Sequence, residues 1–115
     1  MNRFNEELKI KMDDYAHFVY KITKSFPREE LYGIISQSRR AALSVILNYI
    51  EGFARGKKAV KKNFWEISYG SLKESKYLLH FSLVEKYLNH KDYNQAIKLA
   101  EEIGAMLWRS IQALK

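Results

Sequence analysis

The chain has 115 residues, 47% hydrophobic and 29% charged, with one proline, five glycines and no cysteine; it is long enough for one globular domain, residues 1–115, and too poor in turn formers for anything but long helices. The missing cysteine excludes disulfides and thiolate metal sites, and the longest uncharged run, Ala41 to Ile50, is far short of the roughly 20 residues that span a bilayer. With no signal-peptide apolar region in MNRFNEELKIK, and a formal charge of +7, we expect a cytoplasmic protein with polyanionic rather than membrane partners.

The first helix is predicted from about Asn5 to Lys24, where Leu8, Met12, Tyr15, Val19 and Ile22 recur at steps of four and three. Pro27 suits the first turn of a second helix, since its missing N–H costs nothing there, and Glu29 and Glu30 favour the positive end of the dipole. Leu31, Ile35, Ser38, Ala42, Val45, Tyr49 and Gly52 then keep the spacing of a left-handed bundle seam, and Gly56 is expected to end the helix in the left-handed conformation.

A third helix, from about Ala59 to Leu88, places Val60, Phe64, Ile67 and Leu78 on an apolar arc together with Ser68, Ser71, Ser75 and Ser82. Serines there let backbones approach closely, and each hydroxyl can bond back to a carbonyl one turn earlier. Asp92 with Gln95 reads as a capping box opening a fourth helix, in which Tyr93, Ile97, Ala100, Ile103 or Gly104, Leu107, Ile111 and Leu114 carry the apolar rhythm. Four amphipathic helices with short connections specify an all-α, antiparallel up-down four-helix bundle.

The second helix has unusual proportions. Gln37, Arg40, Ser44, Asn48, Glu51 and Arg55 gather into roughly an 80° polar sector, while Leu43, Leu47, Ile50 and Ala54 form a second apolar flank beside the bundle seam. One reading has Gln37, Arg40, Asn48 and Arg55 offering donors to RNA. The other, which Glu51 favours, is a structural network or interface in which Arg40 pairs with Ser44, Ser44 with Asn48 and Glu51 with Arg55, with Glu74 as an extra partner. The second flank then faces a neighbouring subunit.

Most of the excess charge sits in RGKKAVKK, where Arg55, Lys57, Lys58, Lys61 and Lys62 have no acid among them. A concentrated basic tip attracts polyanions by field focusing and counterion release, whereas a solvated loop that merely tolerates lysines is the alternative. Catalysis finds little support. A di-metal bundle needs paired Glu-x-x-His motifs, and the chain offers only Asp14-x-x-His17; His80 and His90 have no acid at ligand spacing, and GKKAVKK lacks the second glycine of a phosphate loop. We therefore expect no enzyme, metal or cofactor. Tyr69, Tyr77 and Tyr87 fall off the apolar arc, where they could stack on bases but are better suited to filling a subunit interface.

The combination of Phe26, Pro27, Glu30 and Gly33, then Gln37, Arg40, Ser44, Asn48, Glu51, Gly52 and Arg55, then Gly70, Ser71, Leu72 and Glu74 resembles the bundle proteins encoded in intervening sequences of bacterial 23S ribosomal RNA genes. The likeness spans roughly residues 15–80 and implies a homo-oligomeric ring, a pentamer, with an RNA-binding role. A distant relative is the accessory variability determinant of diversity-generating retroelements, which partners a reverse transcriptase and structured RNA. Two positions depart from the family pattern: Ile46 and Leu47 stand where many members have a proline, so the second helix should be less kinked, and Lys57 replaces a small polar residue, removing a cap while enlarging the basic patch.

These observations predict a non-enzymatic, ring-forming bundle that binds structured RNA, which includes ribosomal RNA as a candidate, through Arg55, Lys57, Lys58, Lys61 and Lys62. The alternative is a protein-interaction adaptor, such as an accessory subunit of a reverse transcriptase.

Overall fold

In the computed structural model, which describes residues 2–114, α1 spans Arg3–Thr23, α2 Ser36–Phe53, α3 Lys58–Val84 and α4 His90–Gln112. Each helix packs on its neighbours in sequence and α4 closes against α1, giving an up-down bundle 43 × 24 × 18 Å in extent. Leu8, Met12, Tyr15, Val19 and Ile22 of α1 meet Val45 and Tyr49 of α2, Leu72 and Leu79 of α3, and Ile103 and Leu107 of α4 in one buried core.

Helix ends follow local chemistry. Asn2 opens α1 by accepting a hydrogen bond from the Asn5 N–H at 2.8 Å. The expected Asp92–Gln95 start of α4 lies one turn too late: Asn89 is the N-cap, its Oδ1 accepting from the Asp92 N–H at 2.7 Å, while its amide donates back to the Asp92 carboxylate at 3.2 Å. α3 ends at Val84 rather than near Leu88, because Lys86 enters the left-handed region at φ 65° and the Tyr87 N–H folds back to the Ser82 carbonyl at 2.9 Å. Gly56 does not take that conformation; no described glycine has positive φ, and α2 stops when the Ala54 N–H is shared between the Ile50 and Glu51 carbonyls.

The entry to α2 also departs from expectation. Pro27 precedes a single 3-10 turn, Arg28–Glu30, and a π turn, Leu31–Ile35, whose Gly33 leaves helical dihedrals at φ −109°, ψ −111°. The wider turn shifts the helical phase. Leu31, assigned to the seam, is consequently exposed and Tyr32 is 92% exposed, whereas Ile34 and Ile35 turn inward. From Ile35 onward the predicted seam holds, with Ser38, Ala42, Val45, Tyr49 and Gly52 all buried.

The buried face of α3 keeps Ser68, Ser75, Leu78 and Ser82 of the predicted arc and adds Trp65, Leu72 and Leu79, while Phe64 and Ser71 are half-buried. Val60 and Ile67 are exposed. Large aliphatics set the predicted phase, but α2 and α3 form the most extensive helix pair, and serine is what a close backbone approach admits. The serines mostly bond between helices rather than back along their own: Ser68 Oγ donates to the Val45 carbonyl at 2.6 Å, and Ser75 shares a hydrogen bond with the Tyr15 hydroxyl at 2.7 Å. Only Ser82 takes the expected route, donating to the Leu78 carbonyl at 2.8 Å. Among the described residues no buried side-chain nitrogen or oxygen lacks a partner.

Candidate nucleic-acid interface

The Phe53–Lys58 connection sets the basic tip at the end of the bundle where α1 begins and α4 finishes. Trp65 builds its base. The indole N–H donates to the Tyr49 carbonyl at 3.1 Å, the ring stacks on Tyr49 at 5.1 Å, and Phe53 packs edge-on against it at 5.2 Å. Lys57 occupies the N-cap of α3 with extended backbone and no side-chain cap, and no acid stands in the first turn. The free N–H groups and dipole of α3 thus add to the lysine field instead of being neutralised.

The five tip cations are not equivalent. Arg55 pairs with Glu51 and lies 5.1 Å over the Phe64 ring. The Lys61 ammonium sits over Phe53 at 5.4 Å and Trp65 at 5.8 Å. Lys57, Lys58 and Lys62 are exposed and make no ion pair with any described residue. Arg109, from the last turn of α4, joins them: it lies 5.3 Å over Phe4 and shares with Lys61 and Trp65 the rim of a cleft of about 380 Å³. Sequence reasoning missed Arg109 because only bundle closure brings the two ends together.

The polar stripe is assembled in part. Asn48 donates to the Ser44 carbonyl and hydroxyl, both at 2.9 Å, and Ser44 shares a 2.8 Å hydrogen bond with Ser71 of α3. With the Arg55–Glu51 pair, two of the three expected one-turn links exist. The Arg40–Ser44 link does not, and Gln37, Arg40 and Glu74 are exposed without a hydrogen-bond or ion-pair partner among the described residues. Of the second apolar flank, Leu47, Ile50 and Ala54 are exposed, Leu47 by 58%, whereas Leu43 is half-buried.

A sequence model for the 23S rRNA-intervening sequence protein matches residues 6–109. The chain belongs to this family. No curated protein matches it. Its fold is similar to that of a solved protein of unknown function from the S23 ribosomal protein family of Bacteroides thetaiotaomicron, with 20% identity, a TM-score of 0.88, and coverage of 95% of this chain and 98% of that one.

Both departures from the family pattern have structural counterparts. Ile46 and Leu47 lie inside an uninterrupted α2, the irregular turn being upstream at Gly33, and Lys57 leaves α3 uncapped. His17, of the lone Asp14-x-x-His17 motif, is exposed and pairs with Asp13 at 3.4 Å. His80 and His90 are exposed, and no described group of three or more His, Cys, Asp or Glu could hold a metal ion. Among the described residues no helix is long and apolar enough to cross a membrane. Tyr87 does not project as an α3 tyrosine: its hydroxyl donates to Glu30 at 3.1 Å and its ring meets Phe26 at 5.8 Å, pinning the turn after α3 to the turn before α2. That hydrogen bond to a carboxylate, with some burial, raises its pKa.

Proposed function

We propose that this family member is a non-enzymatic, cytoplasmic RNA-binding bundle whose basic tip grips structured RNA through phosphate contacts. The observation that carries the reading is the set of exposed, unpaired lysines, Lys57, Lys58 and Lys62, beside the uncapped and acid-free start of α3. Arg55, Lys61 and Arg109 surround them, held in place by Glu51 and by aromatic rings. Lysines on a rigid helix start lose less entropy on binding than lysines on a mobile loop. Nothing at the tip offers base-edge readout, so recognition there is of shape and phosphate.

The experiment is binding to a structured RNA hairpin across a salt series, with Lys57, Lys58, Lys61 and Lys62 changed to glutamate. The reading requires weaker binding and a shallower salt dependence in the variant. Unaltered affinity would make the tip solvated decoration.

A second proposal concerns assembly. The open part of the second apolar flank, Leu47, Ile50 and Ala54, on the helix that also carries the unpartnered Gln37 and Arg40, favours burial against another copy in a homo-oligomeric ring, for which five subunits is the stoichiometry we propose. The rival for the same face is a protein partner such as a reverse transcriptase, which makes the chain an adaptor. Mass measurement in solution separates the two, because a stable monomer leaves the flank to a foreign partner.

A further inference from the structure

The tip cations do not end at the tip. Along α3, Lys58, Lys62, Tyr69, Lys73 and Lys76 are spaced so that they fall within roughly a 60° sector of the helix, a stripe about 27 Å long. Glu66 stands at its edge. The stripe runs into a cleft of about 340 Å³ between α3 and α4, lined by Tyr69, Lys73 and Lys76 of α3 and by Glu101, Gly104, Ala105 and Trp108 of α4, with buried Leu72 and Ala100 at its base.

Trp108 is 51% exposed, and its ring stands 5.7 Å from Tyr69, tilted by 45°. Exposure on that scale is costly for the largest apolar side chain, and the glycine and alanine beneath it leave a planar group room to lie against the indole. The charges are asymmetric. Lys76 is neutralised by Glu101 at 3.0 Å, whereas the Lys73 ammonium lies 5.3 Å over Tyr69 and pairs with no described acid. An exposed indole beside one cation free of ion pairs, in a cleft joined to a cationic track, matches the chemistry of a nucleotide: a planar base and an anionic phosphate.

We infer that the α3–α4 cleft takes one unpaired nucleotide of RNA, its base stacked on the exposed Trp108 indole beside Tyr69 and its phosphate on Lys73, with the flanking strand following the α3 stripe to the tip. This rests on the reading of the tip as RNA-binding and extends it, since the tip takes phosphates of any structured RNA whereas the cleft requires a base free to unstack.

The test uses the purified full chain, a 12-nucleotide oligoadenylate, an abasic ribose-phosphate oligomer of the same length, and a blunt RNA duplex. The inference expects oligoadenylate to quench tryptophan fluorescence and the abasic oligomer not to. It expects Trp108→Ala to lose the quenching and to bind oligoadenylate roughly tenfold more weakly, with duplex binding unchanged. Ala105→Leu, which fills the cleft without removing any contact, should weaken oligoadenylate binding in the same way. Wild-type affinity of both variants for oligoadenylate overturns the inference. So does an abasic oligomer that binds as tightly as oligoadenylate, or a change of assembly mass in Trp108→Ala, which would make the cleft a contact between copies. Failure of the tip reading is separate: it shows as unaltered duplex affinity when Lys57, Lys58 and Lys62 become glutamate.

Discussion

Gly52 and Trp65 compete for one volume: a Cβ on Gly52 would lie 2.4 Å from both Cδ1 and Nε1 of the indole. The ring cannot retreat, because its N–H is held by the Tyr49 carbonyl and its face by Tyr49 itself. Gly52→Ala should therefore lose stability through overpacking of roughly 1–3 kcal/mol, offset by about 1 kcal/mol of helix preference for alanine. Gly70 is also inside a helix but has nothing within 4 Å of its Cβ position, so Gly70→Ala should gain about 1 kcal/mol. Urea denaturation midpoints moving in opposite directions would support the contact; a stabilised Gly52→Ala would refute it.

Lys86 closes α3 in a conformation that suits glycine, with φ at 65° and the Lys86 and Tyr87 N–H groups returning to the Leu83 and Ser82 carbonyls. Lys86→Gly should raise stability by about 1 kcal/mol, seen as a Tm increase of roughly 4 °C. Lys86→Val should move the Tm the other way, since a branched Cβ opposes the left-handed region.

Alkaline pH should unfold this bundle by a specific route. Burial pushes the Tyr15 hydroxyl from its usual 10.0 up to about 12, the hydrogen bond with Ser75 opposing only part of the effect, and burial raises Tyr49 as well. A raised folded-state value means that the folded chain keeps the proton which the unfolded chain releases. The stabilisation is complete below pH 10.0 and is lost as pH climbs towards 12, by about 3 kcal/mol for Tyr15. Circular dichroism across pH 9 to 12 would follow the loss, and Tyr15→Phe should lessen the pH dependence while costing about 1 kcal/mol at neutral pH through the unpaired Ser75 hydroxyl. An unchanged pH profile in that variant would assign the alkaline loss elsewhere.

Within the tip, free and engaged cations should separate experimentally. Replacing Lys57, Lys58 and Lys62 with glutamine removes charges that make no ion pair with a described residue, so the slope of log affinity against log salt should fall by roughly 0.7–0.9 per lysine with little change in Tm. Lys61→Gln should instead lower the Tm, because its ammonium covers the Phe53 and Trp65 rings. A salt slope that responds equally to all four would argue against the division.

The helix count, the seams of α1 and α4, and the seam of α2 from Ile35 onward were legible because a 4-3 apolar rhythm is a local property of the chain. α3 was harder. Ser68, Ser75, Leu78 and Ser82 of its expected arc are buried, but Val60 and Ile67 are exposed and Trp65, Leu72 and Leu79 take the inward places, because the large residues of α3 surround the helix and only its partners decide which of them face in. The start of α2 was misread for another reason: the π turn at Gly33 adds a residue to the helical cycle, and nothing in a periodicity count marks that insertion.

For the candidate site, the cluster Arg55, Lys57, Lys58, Lys61 and Lys62 could be found by counting charges, since cations adjacent in sequence share a field however the chain folds. Which of them remain unpaired depended on where Glu51, Phe53, Phe64 and Trp65 came to lie. Arg109 and Trp108 could not be placed at all until α4 closed the bundle, because each meets its partners across a helix interface rather than one turn away. Sequence alone therefore determined the helices, the bundle and the location of the charge, all of which follow from interactions a few residues apart. Tertiary structure decided which lysines are free, which groups the buried serines bond to and where an aromatic cleft opens, because those depend on side chains that only packing brings within reach.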